Sequence, residues 1–169
     1  MAPIVRSSRI AIAIGLLCLG AAGGVAAQGT RFFDKAAKGG MAEVQLSQVA
    51  QQKATRDDVK QFARRMVQDH AKANDELKSI AGAQNVTLPT TLERKHQQAL
   101  QKLQGLTAGS AFDRQYVNQM VADHKETVAL FKTEARSGKN PEAKAFAARQ
   151  LPTLEEHLQM VQRMAKNGK

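Results

Sequence analysis

The chain is poor in the residues that build sheets, disulfide frameworks and thiolate metal sites. It has no tryptophan and a single cysteine, and only 4% of its 169 residues are aromatic. One cysteine cannot form an internal disulfide, and it cannot supply the several thiolates of a structural zinc site. The shortage of aromatic residues, beside abundant alanine, glutamine, lysine and leucine, favours helices over strands. We therefore expect an all-α protein that is held together by its hydrophobic core.

The first residues are typical of an export signal. Arg6 and Arg9 form a positively charged start, an apolar run follows over 10–20, and "VAA" before residue 28 is a small-residue cleavage site. We predict a signal peptide over 1–27, cleaved near Ala27, and a periplasmic or extracellular mature protein. The alternative is an uncleaved membrane anchor, although the apolar run is short for a membrane span.

Cys18 lies inside this leader, so the mature chain over 28–169 would have no thiol. A lipoprotein anchor would need small residues just before the cysteine, whereas Leu16 and Leu17 stand there. Ordinary cleavage is therefore favoured.

The formal net charge is +10, but its distribution does not indicate a nucleic-acid-binding protein. Lysine and arginine are spread along all the predicted helices, and an exported protein does not normally meet nucleic acid. We expect no nucleic-acid partner and at most weak contact with an anionic envelope surface. The oligomeric state is left open. The sequence contains no nucleophile triad, phosphate loop or cofactor fingerprint, so no catalytic residue is assigned.

Four long segments carry helical periodicity or helix-end signals. The two outer joints are short, so the segments should form two antiparallel hairpins. The middle connection, 84–110, is much longer and contains a short amphipathic helix with Leu92, Ala99, Leu100 and Leu103. Two hairpins joined by a long crossover predict a ferritin-like four-helix bundle, as a single domain over 28–169. The segments run from about Arg31 to Lys53, from Thr55 to about Ala83, from Ser110 to near Gly138, and from Asn140 to about Lys166.

The segment ends carry local signals. Thr55 to Asp58 and Ser110 to Asp113 both fit a capping box, and Asn140 followed by Pro141 fits an N-cap with proline at the first helical position. The glycine pair at 39–40 predicts a loosened or kinked first helix.

Three histidines lie on the apolar stripes of three different helices. His70, His124 and His157 continue the three- and four-residue spacing of the core positions around them. In the first helix, Glu43 falls within the apolar arc, where an ionised carboxylate is costly unless it is paired. Each of the four residues lies about 12 to 17 residues from the adjacent short joint, so they should meet at one level of the bundle.

One glutamate and three histidines at one level are donors that suit a divalent transition metal such as iron, zinc, manganese or copper. We therefore predict a metal site formed by Glu43, His70, His124 and His157. A metal-free Glu–His hydrogen-bond network explains the same residues and stays open at this point.

Other polar and sulfur-containing residues near the histidines are given structural roles. The acids that precede the three histidines, Asp69, Asp123 and Glu156, lie at the border of each stripe. They could accept a hydrogen bond from a metal-binding residue of a neighbouring helix, but we expect at least two of them to be solvated. His96 on the crossover is interpreted as structural or exposed. The nearby methionines Met66, Met120 and Met160 are interpreted as core filling rather than as copper(I) ligands.

The chain also resembles the bacterial domain-of-unknown-function family 4142 (DUF4142), exported proteins related to the ferritin-like superfamily. The resemblance covers roughly 31–166 and implies a ferritin-like bundle outside the cytoplasm, with Glu43, His70, His124 and His157 as its recurring polar residues. It carries little functional information. The stretches that carry it are "FFDKAAKGGMAEVQLSQVA", "VKQFARRMVQDHAKANDEL", "FDRQYVNQMVADHKETVALFKTEA" and "LPTLEEHLQMV".

The spacing differs from that of di-iron bundles, which use Glu-x-x-His on two helices. Val67 stands three residues before His70, and Leu154 three before His157. A single metal ion is therefore favoured over a di-iron centre. The leading hypothesis is an exported metal- or stress-handling protein. The alternatives are a non-catalytic envelope interaction module and, ranked last, a metal-dependent oxidase or hydrolase.

Overall fold

A computed structural model describes the backbone of residues 22–168 and the side chains from residue 30 onward. These residues form five helices and no strand, which confirms the all-α prediction. Within this part of the chain, no helix is both long enough and apolar enough to cross a membrane. The helices are α1 (Ala22–Lys53), α2 (Asp57–Ala83), α3 (Arg94–Gly105), α4 (Ser110–Ser137) and α5 (Pro141–Asn167).

The four long helices form a ferritin-like bundle of two antiparallel hairpins. Helix α1 packs mainly on α2, and α4 mainly on α5, across joints of only a few residues. Contacts of α1 with α4 and of α2 with α5 close the bundle. The short helix α3 lies in the crossover between α2 and α4 and packs on α1 and α4. The predicted fold is confirmed, including the extra helix.

The predicted signal peptide lies mostly outside the described residues, and its cleavage stays a prediction. Helix α1 begins at Ala22, upstream of the predicted start at Arg31.

The glycine pair of α1 does not interrupt the helix. Helix α1 runs without a break through Gly39 and Gly40, so the predicted kink is wrong. Gly40 instead faces α2 at close range, since a Cβ atom at this position would lie 2.0 Å from Asn74 Oδ1. A Cβ atom at Gly39 would have nothing closer than Thr127 Oγ1 at 4.0 Å. The glycine at position 40 therefore allows α1 and α2 to approach each other.

The two predicted capping boxes are also wrong. Helix α2 has Arg56 at its N-cap position, and α4 has Gly109; neither makes a side-chain capping bond. The start of α2 is capped from another helix. The buried Asp113 carboxylate of α4 accepts hydrogen bonds from the Thr55 and Arg56 backbone amides, each at 3.0 Å, and from Thr55 Oγ1 at 2.6 Å. This contact ties the two hairpins together. At α5 the prediction holds, because Asn140 Oδ1 accepts from the Ala143 amide at 2.9 Å.

The hydrophobic core is divided into two clusters along the bundle. The lower cluster lies toward the α1–α2 joint and includes the buried side chains Leu46, Phe62, Phe112, Tyr116 and Val161. The upper cluster lies toward the α4–α5 joint and includes Phe32, Phe33, Leu77, Phe131 and Phe146. In α2, α4 and α5 a buried histidine lies between the two clusters in sequence, and in α1 Glu43 directly follows Ala42, where the lower cluster begins.

Candidate metal centre

A layer of four buried polar residues separates the two hydrophobic clusters. Each long helix contributes one residue: Glu43, His70, His124 and His157 are 1%, 6%, 0% and 0% exposed, respectively. Buried apolar side chains lie one turn away from them, for example Met66 before His70 and Val128 after His124. The helical spacing that builds the core therefore also points these four side chains inward.

The three imidazoles converge on one another. Their ring centroids lie 5.5–5.7 Å apart in all three pairs. One ring nitrogen of each histidine lies within 4.8 Å of one nitrogen of each of the other two. Glu43 lies beside this trio, with Oε2 at 2.6 Å from His70 Nε2 and Oε1 at 3.4 Å from His124 Nδ1. The four residues thus form one layer, with the carboxylate on the side of His70 and His124.

His157 is oriented by Asp69 of the neighbouring helix. Its Nε2 lies 2.8 Å from Asp69 Oδ2, and since a carboxylate only accepts, Nε2 carries the proton. Burial and then the charge of His70 lower the pKa of His157 to about 4, although the bond to Asp69 opposes the shift. The ring is therefore neutral at pH 7. Its Nδ1 is an unprotonated, buried nitrogen without a hydrogen-bond partner among residues 22–168.

His124 is held in a similar way by its own helix. Its Nδ1 lies 3.0 Å from the Met120 carbonyl, so Nδ1 donates, and in the neutral ring Nε2 is left with a lone pair. That Nε2 is buried and makes no hydrogen bond with any described residue. His70 Nε2 is also buried, and it lies against the Glu43 carboxylate, 2.6 Å from Oε2.

Glu43 supplies negative charge to the layer. Burial by itself would raise the pKa of this carboxyl, but the imidazoles of His124 and His70 outweigh that effect and hold the pKa below its ordinary value. The ionised carboxylate is thus the stable form at neutral pH. Oε2 is in contact with His70 Nε2, whereas Oε1 completes no hydrogen bond with another described residue and so retains accepting capacity.

Two of the three acids that precede the histidines differ from the sequence-based expectation. Asp69 and Asp123 are not solvated border acids, because Asp69 bonds His157 and Asp123 is buried at 6% exposure. Only Glu156 of the three behaves as expected, being exposed and paired with Arg65. His96 is buried, with its Nε2 at 3.5 Å from Asp123 Oδ1. A residue one position before a core histidine is about 100° away on its own helix, and sequence alone does not show which neighbouring helix it faces.

The methionines adjacent to the histidines pack in the core or at its edge. Met66 and Met120 are fully buried in the lower cluster, and Met160 Sδ lies 3.2 Å from Arg65 Nη1. This agrees with their interpretation as filling residues.

Fold and layer together define a ferritin-like helical bundle with a buried cluster of imidazoles and one carboxylate. The chain belongs to the family described as a domain of unknown function (DUF4142), whose model matches residues 19–164.

Two solved structures share the fold at low sequence identity. One is a DUF305 fragment from Deinococcus radiodurans, with a TM-score of 0.72 and 13% identity over 83% of this chain and 96% of that one. The other is CopM in the Cu(II)-bound form, with a TM-score of 0.70 and 17% identity over 83% of this chain and 97% of that one. No curated protein matches the chain.

Proposed function

We propose that this protein binds one divalent transition-metal ion at the three-histidine layer and serves metal handling or the response to metal stress. The observation that supports the proposal most is the set of buried imidazole nitrogens: His124 Nε2 and His157 Nδ1 have no hydrogen-bond partner among the described residues, and His70 Nε2 contacts only the Glu43 carboxylate. Leaving a buried polar atom unsatisfied costs about 1–3 kcal/mol, so such nitrogens on imidazoles whose ring centroids lie 5.5–5.7 Å apart need an explanation. A metal ion would satisfy all three at once.

The hydrogen bonds that orient the histidine rings support the same proposal. Metal-binding histidines commonly donate their other ring nitrogen to a carboxylate or a backbone carbonyl, which fixes the tautomer and orients the ring. Asp69 does this for His157, and the Met120 carbonyl does it for His124. In a purely hydrogen-bonded network, we would instead expect every inward nitrogen to bond another imidazole or Glu43, whereas only His70 Nε2 has such a contact, with Glu43 Oε2.

The donor set favours certain ions. Imidazole nitrogens suit copper, zinc, iron and nickel, and the carboxylate of Glu43 would offset the positive charge of the ion. Because CopM was solved with Cu(II) and has the same fold, Cu(II) and Zn(II) are the first ions to test. The export-like leader places this activity outside the cytoplasm in our proposal.

The test is metal content at equilibrium. Mature protein over 28–169 is stripped with a chelator, dialysed against Cu(II) or Zn(II), and analysed for bound metal. We expect about one ion per chain in the wild type and a large loss in His157→Gln and His70→Gln. Ser47→Ala is the matched control, since Ser47 is buried one helical turn from Glu43 but bonds Tyr116 outside the layer.

Equal occupancy in His157→Gln and wild type would contradict the proposal. Absence of binding in folded wild-type protein would also contradict it and would favour the metal-free Glu–His network.

A further inference from the structure

A polar pocket, called the acidic pocket below, lies next to the histidine layer, between α1, α3 and α4. Its volume is about 130 Å³. Four carboxylates line it, those of Glu43, Glu93, Asp123 and Glu126, against the two lysines Lys35 and Lys95. A locally acidic pocket in a chain with a net charge of +10 is a distinct electrostatic feature. A pocket lined mainly by one sign of charge raises the local concentration of ions of the opposite sign, in this case cations.

His96 and Asp123 form a pair of donors in the wall of this pocket. Both are buried, at 5% and 6% exposure, and His96 Nε2 lies 3.5 Å from Asp123 Oδ1. That separation is long for a hydrogen bond, but two ligands at about 2.1 Å from one ion lie roughly 3–3.5 Å apart. Gln119 Nε2 donates to both oxygens of Asp123 at 3.0 Å and fixes the carboxylate in place. His96 Nδ1 is buried without a partner among residues 22–168.

Glu43 connects the pocket with the histidine layer. Its side chain lines the pocket and also lies 2.6 Å from His70 and 3.4 Å from His124. It is 1% exposed, and its Oε1 completes no hydrogen bond with a described residue. The Glu43 side chain thus borders the acidic pocket, and its two carboxylate oxygens contact the imidazoles of His70 and His124.

A second pocket also reaches the histidines, but it suits a cation less well. It has a volume of about 30 Å³ and is lined mostly by apolar or neutral residues, including Phe131, Leu154 and Thr153, beside His70 and His157. Its carboxylate, Asp69, is already bonded to His157 and paired with Arg65.

We infer that the acidic pocket is a cation-entry site, in which His96 and Asp123 bind a divalent metal ion transiently and Glu43 passes it to the three histidines. This inference rests on the proposed metal-binding function. It assigns His96 and Asp123 to the rate of metal uptake, whereas His70, His124 and His157 set the final occupancy. The transfer involves only an exchange of ligands, and neither the metal nor the protein changes oxidation state.

The test is the rate of loading of metal-free mature protein with Cu(II), followed by stopped-flow absorbance of the bound ion. In His96→Gln and Asp123→Asn we expect loading to be slower by about tenfold or more, the usual size of an effect on metal binding when a supporting ligand is removed. The end-point should still be one ion per chain. Asp123→Asn keeps the shape of the side chain, so it tests the charge if His96→Gln fails to fold.

Asn74→Leu and Thr153→Val are the matched controls, because both residues line the other pocket and neither contacts the histidine layer's inward nitrogens. Both should load at the wild-type rate. Wild-type rates in His96→Gln and Asp123→Asn, or slow loading in Asn74→Leu instead, would overturn the entry route. Failure of the entry route would leave the three-histidine site intact as long as the wild type takes up metal and His157→Gln does not. A wild type that takes up no metal would overturn both proposals.

Discussion

His157 links acid sensitivity to the histidine layer. Its pKa is lowered to about 4, first by burial and then by His70, against an ordinary value of 6.5. Between these two values the unfolded chain binds a proton at this position and the folded chain does not. The free energy of unfolding therefore rises with pH through this window. The stability that the neutral His157 contributes is fully present above about pH 6.5.

We predict that metal-free protein loses stability as the pH falls from about 6.5 to 4, with His157 contributing up to about 3 kcal/mol. Urea unfolding at several pH values, in the presence of a chelator, measures the effect. His157→Gln should be flatter across this window than the wild type. An equal slope in the variant would show that other groups cause the pH dependence.

Glu43 extends the same trend to lower pH. Its pKa lies below the ordinary value of 4.5, so its contribution is present above about pH 4.5 and is lost as the pH falls through the lowered value. Both groups therefore destabilise the fold in acid, at successive stages.

The glycine pair of α1 provides a comparison at the level of a single helix. Glycine within a helix costs roughly 0.5–1 kcal/mol relative to alanine, unless packing requires it. A Cβ atom at Gly39 would make only an ordinary van der Waals contact, with Thr127, whereas at Gly40 it would collide with the Asn74 side chain of α2.

We predict that Gly39→Ala raises the free energy of unfolding by about 0.5–1 kcal/mol and that Gly40→Ala does not. Because the obstacle is a side-chain atom, Gly40→Ala combined with Asn74→Ala should recover part of the gain. Denaturant unfolding of the wild type, Gly40→Ala, Asn74→Ala and the double variant forms a double-mutant cycle. Equal stabilisation by both glycine substitutions would mean that the helices can separate without cost.

Helix ends and helix contacts were predictable to different degrees. The ends of α1 and α2 at Lys53 and Ala83, and the cap at Asn140, follow from local sequence signals. The capping of α2 by Asp113 could not be predicted in this way, because the carboxylate and the amides it accepts from are on different hairpins. Local patterns also suggested a different partner for Asp113 within its own helix, namely Ser110.

Metal binding should also affect the stability of the whole molecule. A ligand that binds only the folded state at 100 times its dissociation constant adds about 2.7 kcal/mol. For a chain of this size, the expected rise in melting temperature is roughly 5–10 °C.

We predict this rise in melting temperature for wild-type protein with Zn(II), which has no redox chemistry. Differential scanning calorimetry checks it, and His157→Gln serves as the comparison. An equal rise in the variant would locate the stabilising ion elsewhere.

The level at which the four polar residues meet followed from counting residues to the short joints, because helical rise is nearly constant. The same counting gives no rotation of one helix about another. For that reason the pairing of His157 with Asp69, and the burial of His96 against Asp123, emerged only from the structure.

The position of the polar layer between two apolar clusters restricts how the bundle can be assembled. Shifting one long helix by a single turn, about 5.4 Å, would move its imidazole or carboxylate toward a hydrophobic cluster and away from the other three polar residues. Burying such a group without partners is costly. The histidines and Glu43 therefore fix the axial register of the four long helices, whether or not an ion is bound.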